Sequence, residues 1–241
     1  MIAWYINLLL QRFGIEVKRI DTLQRRIDAG KYRWLQEKGI KTIIDIGANV
    51  GQFAEMIRPI IPSAMIYSFE PLESCFSELK LKEKTLSPFQ CFQYGLGDKN
   101  EIKEINHNKF TQSSSLLTME QRHKDAFPYT KDSYKESISI VTLDSVISNL
   151  AIESPLFVKI DVQGYELNVL RGAAATLPMI DILIVEVSFT RLYENQPLFE
   201  DINKELRKYQ FEYVGNFEQL TDPINGAVLQ ADAIYINRTM G

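Results

Sequence analysis

The stretch LFVKIDVQGYE, residues 156–166, holds charge where a buried strand should hold none. Its apolar residues mark a core strand, yet Lys159, Asp161 and Glu166 stand in it or just beyond it, and an unpaired buried charge costs on the order of several kcal/mol. Residues two apart on a strand share a face. Lys159 and Asp161 therefore point one way, and Leu156, Val158, Ile160 and Val162 the other. A carboxylate and an ammonium on one face at the end of a strand can take a proton from a polar substrate or orient it. Gly164 then releases the chain into a turn, and Glu166 opens a helix, where a negative charge suits the helix dipole. Each charge also has a structural reading: an ion pair of Lys159 with Asp161 or with Glu186, and helix-start stabilisation by Glu166.

A second constellation lies in DIGANVG, residues 45–51. Gly47 and Gly51 allow a tight bend and close approach of backbone to a ligand, and the helix after them has unspent N–H groups. Asp45 is placed to accept hydrogen bonds from the turn or to meet an ammonium group. The spacing is Gly-x-x-x-Gly, not the Gly-x-Gly-x-x-Gly of a dinucleotide fingerprint. Glu70, in SFEP, follows Gly51 by 19 positions, close to the ~20 at which an acidic residue grips ribose hydroxyls. Two vicinal hydroxyls can donate to the two oxygens of one carboxylate. Gly97 and Asp98, in GLGD, end a third strand and are candidates to lie against an adenine edge.

The elements that must position these residues follow from the hydrophobic pattern. Helices are predicted over 2–13 and 22–38, with Gly39 as a C-cap. Strands follow at 41–47, 64–71 and 89–97, separated by the helices QFAEMIRPI and SCFSELKLKEK. SISIVTL alternates as a strand, a short helix covers 144–150, and the strand of the opening stretch comes next. ELNVLRGAAATL is helical, DILIVEVS (181–188) a buried strand and FEDINKELRKYQ an amphipathic helix, with strands at 211–217 and 231–237. Apolar strands alternating with helices imply an α/β fold: a doubly wound, mostly parallel seven-stranded sheet with an antiparallel terminal strand. Residues 1–40 form a helical extension packed on the domain or on a partner protomer, and 41–241 form the domain itself. The polar segment 98–136 is an insertion covering the acceptor side.

Composition narrows the partners. A formal charge of −4 offers no footprint for a phosphate backbone, so nucleic acid is not expected. Two cysteines, Cys75 and Cys91, are too few for a disulfide framework and lack metal spacing, which suits buried thiols in the cytoplasm. The apolar run MIAWYINLLL falls short of the ~20 residues a spanning helix needs. It reads as an amphipathic helix for packing or homo-oligomer contact, with membrane-surface contact as the alternative.

Taken together, TIIDIGANVGQFA, YSFEP, GLGD, SSSLL, VTLDSVI and FVKIDVQGYELNVLRGA resemble the FkbM family of S-adenosylmethionine-dependent methyltransferases, over about residues 42 to 190. The resemblance implies a class I methyltransferase (Rossmann-like) fold and methyl transfer from S-adenosylmethionine, usually onto an oxygen of a sugar or natural product. By motif position it implies cofactor contacts from Gly47, Asn49, Gly51, Glu70 and Asp161, with Ser113 to Ser115 close to the cofactor. Ala48, Pro71, Asp45, Gly97, Asp98, Ser114 and Ser115 complete the candidate cofactor set. Asp161, Lys159 and Glu166 are the candidate catalytic residues. Asp161 would accept the acceptor's proton or fix the cofactor's amino group, and Lys159 would orient Asp161 or bind the acceptor. His107 and His123 are competing bases, and Phe127, Tyr129 and Tyr134 are candidates to stack on a sugar ring. No metal is expected, although Asp161 and Glu186 could hold a hard divalent cation. A nicotinamide-dependent oxidoreductase and an inactive nucleotide-binding scaffold are the alternatives.

Overall fold

The apolar runs become strands and the segments between them become the helices that cover the sheet. The computed structural model describes residues 30–108, 133–192, 195–223 and 225–240. In chain order its elements are α1 (Arg33–Glu37), β1 (Thr42–Ile46), α2 (Gln52–Ile57), β2 (Met65–Phe69), α3 (Glu73–Leu81), β3 (Phe89–Phe92), β4 (Gly95–Leu96), β5 (Glu101–Asn108) and β6 (Ser133–Val141). They continue with α4 (Leu143–Val146), β7 (Leu156–Ile160), α5 (Glu166–Arg171), β8 (Ile182–Ser188), α6 (Phe199–Arg207), β9 (Phe211–Thr221) and β10 (Val228–Asn237).

Seven strands form one sheet in the order β3-β2-β1-β7-β8-β10-β9. β10 runs opposite to the other six strands of this sheet, and this last strand of the described chain lies between β8 and β9. The order reverses between β1 and β7, and in open α/β sheets the crevice beyond the carboxyl ends of such strands receives ligands.

Every residue of β1 and β7 is buried, because helices cover both faces. On one face Ile43, Phe157 and Ile184 pack with Leu35 of α1 and Phe53, Ala54 and Ile57 of α2. On the other, Ile44, Val158 and Val185 pack with Val169 and Leu170 of α5 and Ile202 and Leu206 of α6. Each of these side chains larger than alanine contributes about 1.5–3 kcal/mol on burial. Of the predicted N-terminal helices, α1 is the described end of 22–38, and residues 22–29 and the 2–13 segment lie outside the described residues. Tyr32, at the start of α1, stacks on Phe217 of β9 at 4.5 Å, which ties this segment to its own sheet.

Two expectations need correction. The run 89–97 is not one strand: after Phe92 the chain leaves the main sheet, and β4 joins a separate three-stranded sheet, β4-β6-β5. Glycine is the reason. A Cβ on Gly95 would come 2.6 Å from Ile140 Cδ1, and one on Gly97 would come 2.8 Å from Ile140 Cγ2, so both residues let the backbone lie flat on β6. The two ends of the 98–136 segment pair as the antiparallel strands β5 and β6. Finally, α5 stops at Arg171 rather than running to Leu177. A Cβ on Gly172 would sit 1.8 Å from the Gly97 carbonyl oxygen, so the helix end is pressed against the end of β4.

Candidate active site

The tips of β1, β2 and β7 are held together by their backbones. The Ile46 carbonyl accepts from Asp161 N–H at 3.0 Å, and the Phe69 carbonyl accepts from Gly47 and Ala48, each at 3.0 Å. Gly47 has φ +83°, and a Cβ there would lie 1.9 Å from the Asp161 carbonyl oxygen, so no other residue fits. Asn49, at φ +49°, donates its N–H to Glu70 Oε2 at 2.8 Å, and its side-chain Oδ1 accepts from Val50 N–H at 2.7 Å. Gly51 N–H returns to the Ala48 carbonyl at 2.8 Å. The N–H groups of residues 47 to 51 are thus spent within the protein, and what the bend presents is the carboxylate it grips.

That carboxylate is Glu70. It is 5% exposed, and its Oε1 accepts from Leu72 N–H at 2.9 Å. Burial pushes its pKa up to about 7, opposed by the Leu72 and Asn49 donors and assisted by the charges of Asp45 and Glu136. Each oxygen holds one backbone N–H and keeps a lone pair for a further donor.

Across β1 the strand pairing sets polar side chains in a row, because alternate residues share a face. Ser68, Asp45 and Lys159 are register neighbours. Asp45 Oδ2 accepts from the Ser68 hydroxyl at 3.3 Å, and its buried Oδ1 has no hydrogen-bond partner among the described residues. Burial raises Asp45 to about 6, with Lys159 opposing and Asp161 adding to the rise. Lys159 Nζ donates to Asp161 Oδ2 at 2.9 Å and lies 5.5 Å from the centre of the Phe53 ring. Burial works against its charge, but Asp161, Asp45 and Asp232 outweigh that and raise its pKa. Asp161 is the converse: burial disfavours its charge, and Lys159 nonetheless holds its carboxyl below the ordinary range. Of the two ion-pair partners weighed for Lys159, the structure selects Asp161.

Gln163 extends the network. Its amide donates to Asp161 Oδ1 at 3.1 Å and to both oxygens of Glu186 at 3.2 and 3.1 Å, and Gln230 donates to Glu186 at 3.1 Å. Asp232 stands opposite Glu186 in the β8–β10 pairing. Burial and the nearby carboxylates raise Glu186 well above its ordinary value, and burial raises Asp232 to about 6. Gln163 has φ +52°, a conformation costing about 1–2 kcal/mol for a residue with a Cβ. Glu166 holds the loop: its Oε1 accepts from Val162 N–H at 3.2 Å and Gly164 N–H at 2.9 Å. Burial lifts it to about 7 against those donors. The second sheet meets this loop through Lys103 of β5, which donates to the Tyr165 hydroxyl at 2.9 Å and lies over its ring at 4.4 Å.

Asp45, Gly47, Ala48, Asn49, Gly51, Glu70 and Asp161 are brought together at these tips, and Pro71 follows directly on Glu70. Gly97 stands one step away at the end of β4, packed near Tyr165, and Asp98 beside it is exposed. Ser114, Ser115, His123, Phe127 and Tyr129 lie outside the described residues, as do the side chains of His107 and Tyr134. Gln163, Gln230, Asp232 and Ser68 were missed by sequence reasoning. Asp232 breaks an apolar alternation, which is a usable signal, whereas the others are ordinary polar residues until the register is known. Among the described residues no group of three or more His, Cys, Asp or Glu is arranged to hold a metal ion, and no helix is long and apolar enough to cross a membrane.

Residues 45–213 match the family described as the methyltransferase FkbM domain. The chain is 26% identical to the 2-O-methyltransferase NoeI of Sinorhizobium fredii, over 67% of this chain and 69% of that protein. It is 25% identical to the hexuronic acid methyltransferase AglP of Haloferax volcanii, over 81% of this chain and 79% of that protein. Among solved structures, the methyltransferase FkbM from Methylobacillus flagellatus shares the fold, with a TM-score of 0.50 at 14% identity; the likeness covers 82% of this chain and 43% of that one. The family match spans the bend at Gly47, the grip on Glu70 and the Lys159–Asp161 pair, and the chain belongs to the FkbM methyltransferase domain family.

Proposed function

We propose that the protein is an S-adenosylmethionine-dependent O-methyltransferase acting on a hydroxyl of a sugar or glycan. One observation carries the reading: the tips of β1, β2 and β7 converge so that Glu70 and Asp161 flank a single bend at Gly47. The residues suit the cofactor. Glu70 keeps lone pairs for two vicinal ribose hydroxyls, and Asp45 holds a buried oxygen with no partner among the described residues, which suits an ammonium or hydroxyl donor. Similarity to the 2-O-methyltransferase NoeI supports an oxygen acceptor, and similarity to the hexuronic acid methyltransferase AglP supports one of carbohydrate type.

When bound, S-adenosylmethionine supplies a methyl group already activated on a sulfonium. The protein's part is positioning and proton removal. Asp161 would take the proton of the acceptor hydroxyl whose oxygen receives the methyl group. Lys159 keeps Asp161 ionised and aimed, and Gln163 steadies its second oxygen. Glu166 fixes the loop that carries both Asp161 and Gln163. Loss of the proton from Asp161 to solvent closes the cycle.

The test is transfer of labelled methyl from S-adenosylmethionine to a panel of free sugars and glycans. The wild type should give a base-stable methyl ether, which separates hydroxyl from carboxylate acceptors. Asp161→Asn should lower kcat about a hundredfold with cofactor binding within about threefold of wild type. Activity within a few-fold of wild type would remove Asp161 as the proton acceptor.

A further inference from the structure

A second cavity, of about 580 Å³, lies between α6 and the start of β9. It is on the sheet face opposite Asp45 and Lys159, since Tyr213 in its wall packs on Tyr235 and Tyr235 belongs to the core cluster of Val158 and Leu183. Phe199, Asn203 and Arg207 supply one wall; they are spaced four apart and so line one side of a helix. Tyr213 and the Glu212–Arg238 ion pair supply the other.

The wall chemistry is mixed in a particular way. Phe199 and Tyr213 meet edge to face, with ring centres 5.1 Å apart, and Tyr213 is 37% exposed, so an aromatic surface is open to an apolar ring face. Arg238 has its charge answered by Glu212, whereas the Arg207 guanidinium has no hydrogen-bond or ion-pair partner among the described residues. Asn203 Oδ1 is buried without a hydrogen-bond partner among the described residues. The Tyr213 hydroxyl in the wall donates to Asn216 Oδ1 at 2.9 Å and keeps lone pairs to accept from a ligand. An aromatic face, amide and hydroxyl groups that can donate and accept, and one unanswered guanidinium suit a hydroxylated ring carrying one negative group. The volume falls in the range of small-molecule sites.

We propose that this cavity binds an anionic pyranose, a uronate or a sugar phosphate, independently of the strand-tip site. The test is calorimetric titration of the full chain with glucuronate, with glucose 6-phosphate and with glucose. At least one anion should bind saturably, and glucose about tenfold more weakly or not at all. Arg207→Gln, at an exposed position, should weaken the anion about tenfold while leaving S-adenosylmethionine binding unchanged. Phe199→Leu, which keeps the packing but removes the ring, should weaken it too. Asp161→Asn should leave anion affinity within about twofold, which separates this cavity from the proposed acceptor site. Failure of both anions to saturate, equal binding of glucose, an unaffected Arg207→Gln, or loss of binding in Asp161→Asn would each overturn the proposal.

Discussion

Gly47 and Asp161 touch through their backbones: a side chain on the first would run into the carbonyl oxygen of the second at 1.9 Å. The contact binds the β1 bend to the β7 tip, so the proposed cofactor side and the proposed acceptor side form one unit. Gly47→Ala would have to bear both the left-handed backbone, about 1–2 kcal/mol, and the collision. It is expected to lower Tm and to weaken S-adenosylmethionine binding by about tenfold or more. Thermal melts and cofactor titration of the same preparation check this.

Gln163 holds Asp161 and Glu186 apart with one amide group. Gln163→Glu would exchange a donor for a third carboxyl among two others, an arrangement in which like charges repel. Turnover should fall about tenfold or more, with the acidic limb of the pH–rate profile displaced upward, while cofactor affinity changes little. A purely structural role would lower stability without moving the profile.

The buried carboxyls make stability depend on pH in an unusual sense. Glu70 and Glu166 are raised to about 7, and Asp45 and Asp232 to about 6. Unfolded carboxyls protonate near 4, so between about 4 and 7 the folded chain holds more protons than the unfolded one. Their contribution is complete below the unfolded values and is lost as pH rises through the folded ones. Asp161, held low by Lys159, acts oppositely, and its share is lost only as pH falls through its depressed folded value. Calorimetric Tm should therefore decline from about pH 5.5 to about pH 7.5, and Glu70→Gln, which cannot ionise, should reduce the slope. A Tm that rises across this interval would contradict these shifts.

Metal removal should leave turnover unchanged. The Gln163 amide donates to both carboxylates that could have shared a divalent ion, Asp161 and Glu186. Exhaustive chelation followed by the methyl-transfer assay checks this, and a loss restored by magnesium or manganese would refute it.

Much of the main sheet was legible because β1, β7 and β8 are short apolar runs and their charged residues stand out against them. The same alternation put Lys159 and Asp161 on one face, as the structure has them. The smaller sheet was not legible. FQCFQYGLG reads as one strand because nothing apolar marks the exit after Phe92, and only the steric demand of Ile140 on Gly95 and Gly97 explains the departure. In β5, Ile102 is 78% exposed, so the strand has no buried stripe to announce it. The Asp161–Gln163–Glu186–Gln230 chain of hydrogen bonds joins β7, its loop, β8 and β10, and such links depend on a strand order that no local pattern encodes. Glu166 was read correctly as opening a helix, but its grip on Val162 and Gly164 needed the loop's geometry.

The most direct test of the strand-tip site is calorimetric titration of S-adenosylmethionine into the wild type and into Glu70→Ala. The account predicts saturable micromolar-range binding by the wild type and a loss of about tenfold or more in the variant, whose fold is confirmed by circular dichroism. No binding by the wild type, or equal affinity in a folded Glu70→Ala, would contradict it.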